Sequence, residues 1–496
     1  MESASMSHPN SAPWLSAPDA RLPKHVHLLG AGGAGVSGLG RVLASRGVRV
    51  SGHDRASSEI FESFAKLDDV SVELGPSVAG YLPEEADLVV RSAAVPADDP
   101  QVVEAQRREI PVLKYAQALA RLAEARDQLV VAGTHGKTTG SWMLWHTLEA
   151  IDGVLSRPVA GGLIGGLDQK LKTNAVAGGR GGWFVMEGCE YDRTFLNLDP
   201  FGAVIANVEE DHLDCYGDMD NLIAGFARFA GRVADEGLLV VGSGVPDAVE
   251  HASRAVVWRQ GRDFDVELAG EERGAFRFRL LGPGWATPLV ELAVVGHMNV
   301  DNAAMALALA IGVSAKRAGV APAEVVAAAA EGIGRFAGVS RRFEHWGNVG
   351  GVHFVHDYAH HPTEVRVTLE AARRAYRDRP LHVLFQPHQH SRTARFLDEF
   401  AEALRSADRV VVADVYGARL HIDGARFAGA AELVTQLKAR QVDAVEGGSL
   451  AEASGQLVRG VPRKALALVL GAGDVETLRE TLLSDLSLRN EVRGLQ

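Results

Sequence analysis

The chain has 496 residues, 47% of them hydrophobic and 23% charged, a composition that suits a soluble globular protein of roughly three domains at about 150 residues each. A net charge of −12 provides no global field for nucleic acid, so an anionic ligand needs local basic patches. Cys189 and Cys215, in no metal-ligand spacing, exclude a disulfide framework and suit a reducing cytoplasm; no run is expected to approach the ~20 apolar residues of a membrane span.

Residues 1–22 are rich in Ser, Pro and Ala and lack an apolar segment, so they read as a disordered tail rather than a signal peptide. A first lobe, residues 23–122, opens with an apolar strand at 25–29, a glycine run from Gly30 through Gly32 and Gly33 to Gly35, and a small-residue helix predicted over 36–46. Gly30, Gly32 and Gly35 match the spacing of a dinucleotide fingerprint, and Asp54 follows a second strand where an acid would meet a ribose. The pattern predicts a Rossmann-like lobe that binds a diphosphate and leaves the nucleotide open. Close packing of strand and helix is the alternative role for these glycines.

A second lobe is expected over residues 123–335. Its opening stretch reads as a buried strand, a turn bounded by Gly133 and Gly136, and a helix from about Lys137. Such a turn lets backbone N–H groups approach a polyphosphate; Lys137 adds a full positive charge and Thr138 a hydroxyl suited to Mg²⁺. Val131 stands where a strict P-loop has glycine, so only the shorter Gly-Thr-His-Gly-Lys-Thr form is present. As a loop residue, Lys137 is expected to be exposed and to contribute little to the core. Two further apolar runs end in acidic turns, one at Glu187-Gly-Cys-Glu-Tyr-Asp192 and one at Asn207 to Asp214. Three strands thus deliver polar groups to one edge of a parallel sheet, with Glu187 the preferred carboxylate for Mg²⁺. His212 is left open between ligand and ordinary hydrogen-bonding group. Asn299 and Asn302, three apart before an alanine-rich helix, would present amides to a purine or cap the helix.

The third lobe, residues 336–496, repeats strand, polar loop and helix, which predicts another α/β unit. Its strand ends gather Arg341, Arg342, His360, His361, His388 and Arg392, a pattern that favours anion binding.

Taken together, Gly133-Thr-His-Gly-Lys-Thr138, Asp211-His-Leu-Asp214, Ser340-Arg-Arg-Phe-Glu344, the Tyr-Ala-His-His-Pro-Thr-Glu string ending at Glu364, and Gln386-Pro-His followed by Ser391-Arg-Thr resemble the Mur ligases, on their alanine-adding branch. The resemblance covers about residues 25–475. It implies an α/β protein of three domains, a Rossmann-like first lobe, a P-loop-type ATPase lobe and a Rossmann-like third lobe. ATP and Mg²⁺ are the implied cofactors, and UDP-N-acetylmuramate, L-alanine and ATP the small-molecule partners. No nucleic acid and no membrane insertion are expected of a cytoplasmic monomer or homodimer.

By the same resemblance, Lys137, Glu187, His212 and Arg392 are catalytic, and Thr138, Glu187 and His212 hold metal. Gly133, Thr134, His135, Gly136, Lys137, Thr138, Thr139, Asn299, Arg342 and Asp357 bind the nucleotide. Gly30, Gly32, Gly33, Gly35, Ser37, Asp54, His360 and His388 bind substrate, so the first lobe takes UDP. The chain departs from the family's usual residues at Arg91, Met298, His356 and Gln389-His390. A related ligase for another amino acid or for a recycled tripeptide is the near alternative. An NAD-dependent oxidoreductase is the distant one, and it gives no role to the acids or the second phosphate loop.

Overall fold

The computed structural model describes residues 22–124, 126–211, 213–417 and 429–494. Residues 1–21 of the expected tail, and His212, lie outside the described residues. The chain forms two compact units. One holds the residues up to Glu267 with Arg279–Val290 and Asp301–Phe336; the other holds Leu268–Phe278, Glu291–Val300 and the chain from Ala337 onward.

In the first unit, β1 (His25–Leu29), β2 (Arg49–Asp54), β3 (Val70–Leu74), β4 (Leu88–Arg91) and β5 (Val112–Lys114) form a parallel sheet in the order β3-β2-β1-β4-β5. This is the winding of a nucleotide-binding half. The helix Ala34–Ala44 begins two residues earlier than expected, with Gly33 as its N-cap.

The second sheet comprises β6 (Asp127–Ala132), β7 (Gly161–Leu163), β8 (Ala175–Val176), β9 (Trp183–Gly188), β10 (Gly202–Ile205), β11 (Leu238–Val241) and β12 (Val256–Arg259), in the order β12-β11-β10-β6-β9-β7-β8. Only β7 and β8 pair antiparallel. Strands such as Leu129-Val-Val-Ala132 are buried on both faces, as helix-covered parallel sheets require. Because β6 lies between β9 and β10 and runs parallel to both, the acidic turns and the phosphate turn leave the sheet from one edge.

A further four-stranded sheet, β13 (Asp265–Glu272), β14 (Ala275–Gly282), β15 (Trp285–Ala286) and β16 (Val290–Val295), has no counterpart in the sequence reading. It is followed by the 22-residue helix His297–Ala318. By length and composition this helix could cross a membrane, which corrects the expectation that no run is long and apolar enough; 72% of its apolar window is buried within the protein, as in a core helix.

In the second unit, β17 (Glu344–Val349), β18 (Val352–Asp357), β19 (Leu381–Phe385), β20 (Arg409–Ala413), β21 (Asp443–Gly448) and β22 (Leu466–Leu470) are ordered β17-β18-β22-β19-β20-β21, parallel except for the β17–β18 hairpin. Pro362 opens the helix Pro362–Ala375, as expected. His361 Nδ1 accepts the Thr363 N–H, and Glu364 accepts the His361 N–H, so the histidine acts as N-cap.

Candidate functional site

The phosphate turn joins β6 to the 18-residue helix Lys137–Val154. Gly133 (φ +138°) and Gly136 (φ +81°) hold left-handed backbone, and a Cβ on Gly136 would lie 2.4 Å from Asn302 Oδ1. Alanine is therefore excluded at Gly136 by conformation and by space. The exit of β10 fixes the turn from outside. Asn207 Oδ1 accepts the His135 N–H at 2.8 Å and Asn207 Nδ2 donates to the His135 carbonyl at 3.2 Å. Thr134 Oγ1 donates to the Glu209 carbonyl and accepts the Glu209 N–H. The helix ladder begins with Gly140 N–H to the Gly136 carbonyl, so the amides of Lys137, Thr138 and Thr139 precede it. A helix start of this kind attracts anions.

Lys137 is not the exposed loop residue expected from sequence. Its side chain is 16% exposed, and Nζ donates to the carbonyls of Gly133 (2.6 Å) and Thr134 (3.0 Å) and to Glu190, itself only 1% exposed. Burial is the largest influence on the Lys137 pKa and pushes it down, but the Glu190 charge and hydrogen bond together with the neighbouring Cys189 and Glu187 outweigh it, and the net shift is upward. The lysine is therefore a full cation beside the turn. Tyr216 donates its hydroxyl to the Glu190 carbonyl at 2.8 Å, which fixes that segment.

Glu187, at the carboxyl end of β9, is in register with Val131 on β6 and half-buried. Its Oε1 accepts the Gly165 N–H at 2.5 Å. Tyr115, from the start of the helix Tyr115–Ala123, feels the Glu187 charge, and burial followed by that charge raises its phenol pKa. Neither Gly165 nor Tyr115 was singled out in the sequence. The Gly165-Gly166 doublet after an apolar run is the signal that could have marked the first.

In the glycine run, Gly30 has φ +80° and its N–H donates to the His53 carbonyl, while Asp54 Oδ2 accepts the Gly32 N–H at 2.7 Å. A Cβ on Gly35 would lie 2.6 Å from the Tyr115 ring, so this glycine serves packing. Ser37, expected to touch substrate, is fully buried. Its hydroxyl donates to the Ala34 carbonyl and accepts from Asn174 Nδ2, because its helix lies against the β7–β8 segment.

The second unit gathers most of the third-lobe residues. The His360 and His388 rings meet edge to face at 5.5 Å, His388 stacks on Tyr416 at 5.6 Å, and Arg392, 7% exposed, lies 3.5 Å from His388 Nδ1. His360 Nδ1 is 3.2 Å from Glu364, and Arg342 is 3.7 Å from the same carboxylate and 5.0 Å from the Tyr358 ring. Asp357, at the end of β18, accepts the Phe343 and Ala359 N–H groups. Burial raises its pKa to about 6 against the pull of Arg342. Asn299, in the first turn of its helix, donates back to the Val295 carbonyl at 2.7 Å, whereas Asn302 sits against the phosphate turn.

Three family models match in chain order: "Mur ligase family, catalytic domain" over residues 25–127, "Mur ligase middle domain" over 131–310, and "Mur ligase, glutamate ligase domain" over 341–473. The chain is 37% identical to the UDP-N-acetylmuramate--L-alanine ligase of Salinibacter ruber, over 91% of this chain and 93% of that one. It belongs to the Mur ligase family. The enzyme of the same name from Kineococcus radiotolerans is 39% identical over 95% of this chain and 98% of its own. Among solved structures, the UDP-N-acetylmuramate-alanine ligase of Thermotoga maritima aligns with a TM-score of 0.77 at 25% identity, covering 94% of this chain and 99% of that one. A murein peptide ligase from Psychrobacter arcticus shares the fold, with a TM-score of 0.68 at 22% identity over 94% of this chain and 99% of its own. Mur ligases are ATP-dependent ligases.

Proposed function

We infer that the protein joins L-alanine to the carboxylate of UDP-N-acetylmuramate at the expense of ATP, in cytoplasmic peptidoglycan precursor synthesis. The observation that carries this reading is the single sheet edge where β6, β9 and β10 bring together the phosphate turn, the Lys137–Glu190 pair and Glu187. The family membership supplies the substrates. We propose domain boundaries near residues 122 and 335, with UDP on the first lobe, ATP on the second, and the amino acid on residues of the third.

A carboxylate is a poor electrophile, so it must first be activated. In the proposed reaction a carboxylate oxygen attacks the γ-phosphorus of ATP and ADP leaves, giving an acyl phosphate. The alanine amine then attacks the acyl carbon, the C–O bond breaks, phosphate departs and the amine loses a proton. Lys137, a cation beside the turn, is proposed to neutralise charge on the transferring phosphoryl group, and the first amides of its helix to hold the phosphates. Asn299, Arg342 and Asp357 are proposed to meet the nucleotide, and His360, His388 and Arg392 the amino acid with its carboxylate. The glycine run and Asp54 are proposed for the UDP diphosphate and its ribose.

The Thr138 hydroxyl and the half-buried Glu187 carboxylate are proposed as oxygen donors for Mg²⁺, a hard cation that takes oxygen ligands, with His212 a further candidate. When bound, the ion would shield the anionic oxygens that the first step brings together.

Phosphate release measured with UDP-N-acetylmuramate, ATP, Mg²⁺ and a panel of amino acids tests this reading. Release should require all components and favour L-alanine. Release that ignores the UDP sugar, or that prefers a free tripeptide over alanine, would contradict it.

A further inference from the structure

Three polar groups on the helix Lys137–Val154 converge on one segment, residues 160–168, which comprises β7 and the loop that follows it. Trp142 Nε1 donates to the Gly166 carbonyl at 2.8 Å, and Trp145 Nε1 to the Ala160 carbonyl at 2.9 Å. His146 Nε2 lies 2.8 Å from Asp168 Oδ2, with both residues buried. The other Asp168 oxygen accepts the amides of Lys170 and Leu171, and the loop is closed by Ile164 N–H to the Asn174 carbonyl and Asp168 N–H to the Thr173 carbonyl. Between these anchors, Gly165 turns its N–H onto Glu187 Oε1 at 2.5 Å. The fit leaves no room: a Cβ on Gly165 would lie 2.8 Å from both carboxylate oxygens.

Core packing alone would bury two tryptophans among apolar neighbours. It would not aim an indole N–H and a histidine–aspartate pair at the backbone and side chain of one short loop, and buried polar groups of this kind hold a unique geometry when all are satisfied. The helix that begins at the phosphate turn therefore sets the position of the loop, and the loop grips the carboxylate on the neighbouring strand. We propose that Trp142, His146 and Asp168 are positioning residues that act through the Gly165 amide to fix the Glu187 carboxylate for divalent metal. This rests on the reading of Glu187 as a metal-holding group. Partners of ligating carboxylates orient them, and their loss typically weakens metal binding by about 10- to 100-fold.

The test uses the full chain with a non-hydrolysable ATP analogue, Mn²⁺ binding followed by electron paramagnetic resonance, and thermal melting in parallel. Gly165 is not in left-handed backbone, and the three atoms nearest a Cβ there all belong to the Glu187 carboxylate, the end of a flexible side chain, so Gly165→Ala should keep the fold. It should weaken Mn²⁺ binding about tenfold with little change in melting temperature, and Trp142→Phe should weaken it in the same direction. Trp145→Phe loses the same kind of hydrogen bond five residues before Gly165 and should lower the melting temperature while leaving Mn²⁺ affinity at the parental value. Glu187→Gln is the reference for loss of the ligand. Parental Mn²⁺ affinity in Gly165→Ala and Trp142→Phe, with affinity lost in Glu187→Gln, would overturn the positioning role alone. Parental affinity in Glu187→Gln would overturn the metal reading as well.

Discussion

Lys137 carries the strongest single demand on both stability and chemistry. Its ammonium and the Glu190 carboxylate are both nearly out of solvent, 16% and 1% exposed, so removing one takes the opposite charge away from the other in a buried site. Breaking such a pair typically costs about 3–5 kcal/mol. Lys137→Ala should thus be destabilised on that scale in urea denaturation, and adding Glu190→Gln should restore much of the loss while turnover stays depressed by orders of magnitude. A double variant no more stable than the single would show that the pair is not the source. The sequence marked Lys137 as the phosphate residue but misjudged its burial, because its partner stands 53 residues away and the carbonyls it holds belong to its own turn. Ser37 shows the same limit: its partner Asn174 stands 137 residues away, so the buried bond between them is invisible in local sequence.

Strands that end in glycine or acid were the legible elements, and they were legible because both-face burial forces an uninterrupted apolar run. The strand expected at 25–29, which runs into Gly30, matches β1 residue for residue. The β13–β14 hairpin was missed although its signal is present. Phe276, Phe278 and Leu280 are buried while Arg277 and Arg279 between them are exposed, and Arg273 and Gly274 at the turn both have positive φ. Attention to parallel-sheet runs passed over that period of two. Within the first sheet, strands β1 and β2 share a buried polar chain that runs His25–Ser51–His27–Gln101–Ser77–Asp99, every link 2.8–2.9 Å. Gln101 accepts from His27 Nε2, so Nδ1 of the neutral ring accepts from Ser51. Burial lowers the His27 pKa to about 4. The unfolded chain takes up this proton near pH 6.5 and the folded one does not, so His27 contributes stability above pH 6.5 that is lost as pH falls towards 4, on the order of 3 kcal/mol. His27→Asn should flatten the stability profile across that window in pH-dependent denaturation. An unchanged slope would place the acid sensitivity elsewhere.

At the scale of the molecule, the three-lobe reading and the two compact units describe different things. The lobes follow sheets and family models, whereas the second unit takes in pieces of the small four-stranded sheet, Leu268–Phe278 and Glu291–Val300. Glu271 on that sheet holds Arg374 and Arg377 at 2.7 and 2.9 Å, a link between residues about a hundred positions apart that no local pattern announces. The sequence yielded the reaction class because phosphate turn, acids and basic strand ends lie in local motifs. It withheld the tertiary anchors that hold them. In the proposed reaction this phosphate turn activates a carboxylate for attack by an amine. UDP-N-acetylmuramate labelled with ¹⁸O in its carboxylate, incubated with ATP, Mg²⁺ and L-alanine, tests it by mass spectrometry. One labelled oxygen should appear in the released phosphate and the UDP sugar should gain one alanine; phosphate free of label, or no alanine adduct, would contradict the account.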